Sequence, residues 1–311
     1  MAIGASFAGA RAMTASSGGG FCLMTEAYGL AGMTETPLVI LEGMRGGPST
    51  GLPTWTEQGD LRFVLNAHHG DLPKIVLAPG DIDETFHFMM QAFNLADKYQ
   101  TPVLVLTDKQ ILESHKSSTP YEFKDYKLNR GKFITEKQDN YQRYEITEDG
   151  ISPRSIPGAG NHFVANSDEH DAIGYTNEHA ANRVQQMDKR MRKLETCKAQ
   201  DMAEPRLYGP EIADVTIVSW GSNKGAILDA MREFDNVNFL HITWISPFPA
   251  ETVQKILTDA KYVLNIEGNQ SAQMAGLIKE KAGIMVNESL LKYDGRPFYP
   301  EEIVDKLKSI L

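Results

Sequence analysis

Cysteine is nearly absent from these 311 residues: only Cys22 and Cys197 occur. So few thiols exclude a secreted disulfide framework and fit a reducing cytoplasm. They also fall short of the roughly four thiolates that hold an iron–sulfur cluster, so a cluster would have to sit in another chain. No apolar run reaches the roughly eighteen residues of a membrane-crossing helix, and no membrane association is expected. The opening stretch MAIGASFAGARAM lacks a basic segment ahead of an apolar one and is not expected to act as a secretion signal. Positive charge is also in short supply. With 31 Lys and Arg against 41 Asp and Glu, the net charge is −10, which disfavours binding to a phosphate backbone. A Gly-x-Gly-x-x-Gly turn, a phosphate loop and a nucleophile elbow are all missing.

What is present is ordinary globular material, 41% hydrophobic and 23% charged, at a length that suits about two domains. The first part alternates strand and helix signals. Strands are expected at 11–15, 37–42 (PLVILE), 75–78 and 101–107 (TPVLVLT). Helices are expected at 21–32, at 56–67 with Thr54 or Thr56 as cap, and from the Asp81 cap to Tyr99. The unbroken β-branched runs imply a parallel sheet covered on both faces. The last part resumes the rhythm. Its strands are expected at 214–219, 237–242 and 262–267, and its helices at 223–233, 249–258, 270–282 and 300–311. Between them, residues 114–174 are polar and without period. A helix at about 177–196 follows, in which Val184, Met187, Met191 and Leu194 form one stripe. Arg183, Lys189, Arg190, Arg192, Lys193 and Lys198 occupy its other face. That basic face reads as solvated, or as a docking site for an acidic redox protein. The resulting division is 1–113, an interdomain excursion 114–205, and 206–311.

Two segments have the composition of ligand loops. Ser17-Gly18-Gly19-Gly20-Phe21 joins a strand to a helix, where glycines let a backbone approach a ligand and helix-start amides favour negative charge. Read alone, it is equally a tight turn. Arg45-Gly46-Gly47-Pro48-Ser49-Thr50-Gly51 follows the strand at 37–42. Open α/β sheets bind ligands outside the carboxyl ends of their strands, and an arginine there grips a carboxylate with two parallel hydrogen bonds. The alternative is an arginine tied to a structural acid. Asp294-Gly295 lacks the downstream spacing of a magnesium motif and reads as a turn before the last helix. The run Ser167-Asp168-Glu169-His170-Asp171, with His162 and His179, matches no metal spacing and reads as a polar loop, so no metal ligand is assigned.

Several words taken together resemble the alpha subunits of 2-oxoacid:ferredoxin oxidoreductases. They are MAIGASFAGARAMTASSGGGFCLMTEAYGLAGMTETP, RGGPSTGLPTWTEQGDL, SPRSIPG, ANSDEHD, KRMRKLE, VSWGSNKGAI, WISPFP and KYDGRPF. RGGP with STGLPT looks closest to the 2-oxoglutarate type. The resemblance covers nearly the whole chain. It implies an α/β fold: a thiamine-diphosphate pyrimidine-binding-like parallel sheet (1–113, partial), then a transketolase C-terminal-like domain (206–311). It implies oxidative decarboxylation of a 2-oxo acid, with coenzyme A as acyl acceptor and ferredoxin as electron acceptor. A beta-subunit partner would hold or share thiamine diphosphate and magnesium and would carry the iron–sulfur cluster. Arg45, Ser49 and Thr50 fall on the substrate loop, and Gly18, Gly19, Gly20 and Phe21 on the cofactor pocket. The chain departs from the pattern at its start. The family's Tyr-Pro-Ile-Thr-Pro segment and the glutamate for the aminopyrimidine ring are not in it, and SGGGF replaces Ser-Gly-Pro-Gly-Phe. The resemblance therefore leaves no catalytic residue here. It implies either a truncated sequence or a separate chain that supplies the piece, and no activity without that piece and the partner. Two other readings stand beside it: an interaction-only or inactive fragment, and the beta chain of an NAD-linked 2-oxo acid dehydrogenase complex.

Overall fold

The computed structural model describes the backbone of residues 1–311 and every side chain except that of Asp125. A short helix α1 (Ala2–Phe7) precedes β1 (Met13–Ser16), and the glycine turn then starts α2 (Gly18–Cys22). A second helix, α3 (Thr25–Met33), follows after a break at Leu23 and Met24, where one continuous helix was expected. Three glycines weaken the first turn, and the Thr25 hydroxyl donates to the Cys22 carbonyl at 3.2 Å, competing with the helical ladder.

Strand β2 (Leu38–Met44) lies buried on both faces, as its apolar run demands. A long loop leads to α4 (Leu61–Asn66), which starts later than the sequence pattern suggests. The cause is tertiary. Gln58 N–H donates to the Gly268 carbonyl at 2.6 Å, and the Gln273 amide donates to the Gly59 carbonyl at 2.7 Å, so these backbone groups are engaged outside any helix. Strand β3 (Ile75–Leu77) and the long helix α5 (Ile82–Tyr99) come next. The Asp81 carboxylate caps α5 by accepting from Glu84 N–H at 2.8 Å, and the Glu84 carboxylate accepts from Gly80 N–H at 2.7 Å. Strand β4 (Pro102–Asp108) and the one-turn α6 (Lys109–Glu113) complete the first unit.

Most of the stretch from 114 to 179 lies outside regular elements, and side chains rather than a ladder tie it to the first unit. Arg130 and Arg154 both pair with the buried Asp97 at 3.1 Å. Helix α7 (Ala180–Gln200) then corrects the amphipathic reading. Its inward face is Gln186, Lys189, Arg190, Lys193 and Cys197, while Val184 is 58% exposed. The basic face turns inward because an acid awaits it: Lys189 and Lys193 both pair with Glu35, and all three side chains are fully buried, while Met187, Met191 and Leu194 are half-buried. Arg190 grips Glu169 with two hydrogen bonds at 2.9 and 2.6 Å. The other cations of the helix are engaged as well. Arg183 pairs with Glu169, Lys198 with Glu251, and Arg192 donates to the Thr147 carbonyl.

The remaining elements are β5 (Arg206–Tyr208), β6 (Val215–Ser219), α8 (Asn223–Ala230), β7 (Val237–His241), β8 (Trp244–Ser246), α9 (Ala250–Asp259), β9 (Val263–Glu267), α10 (Gln273–Ala282), β10 (Glu288–Leu291) and α11 (Pro300–Ile310). Two five-stranded sheets result, ordered β1-β2-β4-β3-β8 and β10-β9-β6-β7-β5. Neighbours are parallel except at β3/β8 and β5/β7, where an antiparallel strand edges each sheet. Strand β8 therefore leaves the second unit to extend the first sheet. The largest hydrophobic core is likewise shared: Phe21, Tyr28, Leu61 and Val64 join Trp220, Phe248, Leu277 and Ile278 in one cluster.

Candidate functional site

The carboxyl ends of the two parallel sheets point towards each other. Gln58, on the loop after β2, sits between them and is only 2% exposed. Its side-chain amide donates to the Trp220 carbonyl at 3.0 Å, and its side-chain oxygen accepts from Asn223 and from Gly268 N–H, each at 2.8 Å. The Asn269 amide donates to its main-chain carbonyl at 3.1 Å. Gly221 and Gly268 permit this contact, since a Cβ on Gly221 would come within 2.5 Å of the Gln58 nitrogen. The loop carrying Arg45 is thus anchored from the opposite sheet.

The loop then closes on itself. Leu52 N–H donates to the Gly46 carbonyl at 2.7 Å, and Gly46 N–H to the Trp55 carbonyl at 3.2 Å. Gly51 has φ +51°, and a Cβ there would lie 2.0 Å from the Gly46 oxygen, so only glycine fits. Ser49 and Thr50 are exposed at the tip. Arg45 is half-buried at the end of β2 and has no carboxylate within ion-pair distance among the described residues, unlike the tied arginine considered above. The indole of Trp55 lies beneath the Arg296 guanidinium, 3.3 Å from the ring centroid, which brings the Asp294-Gly295 turn of the second unit to the rim of this loop.

The glycine turn lies alongside. A Cβ on Gly18 would meet the Asp60 carboxylate at 2.6 Å, and one on Gly20 would strike the Ser16 hydroxyl. Gly19 is open, with only the Ser49 carbonyl near it at 3.8 Å. Phe21 does not face a ligand: it is fully buried, edge-on to Tyr28 and Phe63, and supports the turn from the core.

The sequence reading passed over Glu42 and Asp60. Glu42 lies in β2 opposite Ser16, is fully buried, and neither carboxylate oxygen has a hydrogen-bond partner among the described residues. Burial, reinforced by the charge of Asp60, pushes its carboxyl up to about 8, so it is largely protonated at neutral pH. Burial also raises Asp60, and burial together with Asp60 raises Glu57. One signal was in the sequence: Glu42 is the single acid in the run PLVILE. The acid run at 167–171 has no free ligand set, because Glu169 is taken by Arg183 and Arg190.

These residues suit the organic part of a cofactor more than its phosphate end. The open Gly19 backbone and a buried, unpartnered carboxyl offer a cradle and a hydrogen-bonding group. Among the described residues no three His, Cys, Asp or Glu gather as a metal site.

A glycine turn and an arginine loop at the carboxyl edge of a parallel sheet are where an α/β chain places a ligand or cofactor. Comparison with known proteins supplies the class. Residues 1–193 match the thiamine-diphosphate-binding domain family of pyruvate flavodoxin/ferredoxin oxidoreductases, and 211–303 match the core domain II of pyruvate:ferredoxin oxidoreductase. The chain is 43% identical to the alpha subunit of 2-oxoacid:ferredoxin oxidoreductase 1 of Sulfurisphaera tokodaii, over 100% of its own length and 50% of that subunit's. It is 31% identical to the 2-oxoglutarate synthase subunit KorA of Methanothermobacter thermautotrophicus, covering 98% of this chain and 82% of that one. A solved 2-oxoglutarate:ferredoxin oxidoreductase from Magnetococcus marinus, with 2-oxoglutarate, coenzyme A and succinyl-CoA bound, superposes with a TM-score of 0.94 at 35% identity. The match covers 99% of this chain and 55% of that one. The chain belongs to the family of 2-oxoacid:ferredoxin oxidoreductase alpha subunits. It spans about half the length of the first of these relatives. Membership removes the reading as a beta chain of an NAD-linked complex.

Proposed function

We propose that the chain works as the alpha subunit of an enzyme that oxidatively decarboxylates a 2-oxo acid, of the 2-oxoglutarate type, passing electrons to ferredoxin and the acyl group to coenzyme A. The observation that carries this reading is Arg45: a guanidinium without an acidic partner, at the carboxyl end of a central parallel strand, on a loop held rigid by Gln58. Arg45 binds the substrate carboxylate, and its planar fork suits that group better than an ammonium would. Ser49 and Thr50 supply hydroxyls at the same tip. Gly19 leaves the backbone open to the cofactor ring, Gly18 and Gly20 let the turn pack on Asp60 and Ser16, and the Phe21 side chain stays in the core. Thiamine diphosphate, when bound, supplies a nucleophilic carbon and an electron sink for decarboxylation. Glu42 keeps its proton beneath the glycine turn, with Asp60, whose own proton affinity burial raises, beside it. A beta subunit supplies the diphosphate and magnesium contacts and the iron–sulfur cluster, since this chain's two cysteines are too few for one. Both are free thiols, which suits a reducing cytoplasm.

The test uses the assembled complex. Arg45→Lys is expected to raise KM for the 2-oxo acid by roughly tenfold to a hundredfold, the worth of a charged hydrogen bond, with cofactor affinity nearly unchanged. An unaltered KM, or a variant that only fails to fold, would overturn the assignment.

A further inference from the structure

Away from the loops just described, a cavity of about 430 Å³ opens where α4, α7, β8 and α10 meet. Four cationic side chains line it, Arg62, Lys74, Lys198 and Lys281, against two carboxylates, Glu195 and Glu280. In a chain of net charge −10, such a local positive excess stands out. Three of the cations have acidic partners: Arg62 and Lys281 share Glu280 at 2.6 and 2.9 Å, and Lys198 pairs with Glu251 at 2.9 Å.

Lys74 does not. Among the described residues it has no carboxylate within ion-pair distance, and its ammonium donates instead to the His68 ring nitrogen at 2.6 Å. A lysine that merely extended its head into water would keep its ordinary proton affinity. Burial, aided by the charge of Lys281 and only partly offset by that of Asp71, instead draws Lys74 down to about 8. Lys74 and Lys281 thus line the same cavity, and Lys74 is desolvated and without a paired acid among the described residues. Leu65, Phe248 and Leu277 add apolar surface to the same lining.

We propose that this cavity binds a small organic acid, its carboxylate between Lys74 and Lys281 and its hydrocarbon body against Leu65, Phe248 and Leu277. The charge pattern asks for an anion, and the apolar residues in the lining ask for a carbon skeleton rather than a bare inorganic ion. The cavity is lined by β8 of the first sheet, by α4, by α10 of the second unit and by the excursion helix α7, so an occupant would fasten these elements together and stabilise the fold by mass action. This site stands independently of the reading given for Arg45.

The experiment is isothermal titration calorimetry on the full chain in a chloride buffer, with hexanoate as one probe and inorganic phosphate as the other. Saturable 1:1 binding of hexanoate, tighter than that of phosphate, is expected. Lys74→Met should weaken it by roughly tenfold or more. Lys281→Glu, at a half-exposed position, should weaken it as well and serves as the readout if Lys74→Met does not fold by near-ultraviolet circular dichroism. Absence of saturable hexanoate binding, phosphate binding as tightly as hexanoate, or unchanged affinity in the folded variants would overturn the proposal.

Discussion

Two buried carboxylates bracket the same strand, Glu35 just before β2 and Glu42 near its carboxyl end, and both are inaccessible to solvent. At the amino end, burial alone would raise the Glu35 carboxyl, but Lys189, Lys193 and Arg143 together hold it well below the ordinary range. Its neighbours are satisfied in turn: Lys189 donates to the Ser152 hydroxyl at 2.9 Å, Lys193 to the Gln100 carbonyl at 3.0 Å, and Arg143 to the Glu35 carbonyl at 2.6 Å. At the carboxyl end no cation approaches Glu42, and its only charged influence is another acid. A buried carboxylate either finds a counter-charge or keeps its proton. One strand does both, and the difference separates scaffold from site. The paired acid fastens the excursion helix to the sheet. The unpaired one lies where parallel sheets place their ligands.

The strongest way to break this comparison is Glu35→Ala. It would leave two lysines buried without a counter-charge and is expected to cost about 3–5 kcal/mol in urea unfolding. A loss no larger than that of a surface substitution would remove the scaffold role.

The second test concerns pH. The folded chain keeps the Glu42 proton up to about 8, whereas the unfolded chain releases it near 4.5. In that window the folded state binds more protons, so the Glu42 contribution falls as pH rises through it and levels off above about 8. Glu42→Gln should flatten this slope and gain on the parent with rising pH, by on the order of a few kcal/mol. Parallel stability curves for parent and variant would contradict the retained proton. Glu35 has the opposite sign: its contribution is fully present above the ordinary carboxylate range and is lost progressively as pH falls below that range towards its depressed folded value.

The smallest effect sharpens the site side of the comparison. Gln58→Ala removes the bonds to Trp220, Asn223 and the Gly268 amide and is expected to cost about 1–3 kcal/mol. Limited proteolysis should then cut the loop between Gly46 and Trp55 faster than in the parent. An unchanged cleavage rate would mean that the loop's internal bonds suffice to hold it.

The sequence was legible where local signals and tertiary demands coincide. The runs at 37–42 and 101–107 read as buried strands because both faces are covered, and Asp81 read as a cap because its box is local. It was opaque where a partner far along the chain decides. The stripe on α7 is only partly buried, with Val184 exposed, because Glu35, more than 150 residues away, draws the lysines in. The helix expected from Thr56 starts later because Gly268 and Gln273 capture its backbone. Strands β5, β8 and β10 span three or four residues each, too short for alternation to register. The site was half legible: the glycine turn and the arginine loop carry their chemistry in composition, whereas Glu42, Asp60 and Gln58 matter only through burial and neighbours.

Strand β8 has a consequence for how the chain is made. The first sheet takes its last strand from Trp244–Ser246, paired to Val76 and Leu77. A ribosome adding roughly 5–20 residues per second therefore holds β3 with an open hydrogen-bonding edge for many seconds while the excursion and the start of the second unit are synthesised. Loop closure over such a separation is slow, and an unpaired edge during that wait is where a nascent chain would seek a neighbour's strand. Expressing the two halves apart would make that exposure permanent, so the natural unit of folding here is the whole pair of sheets.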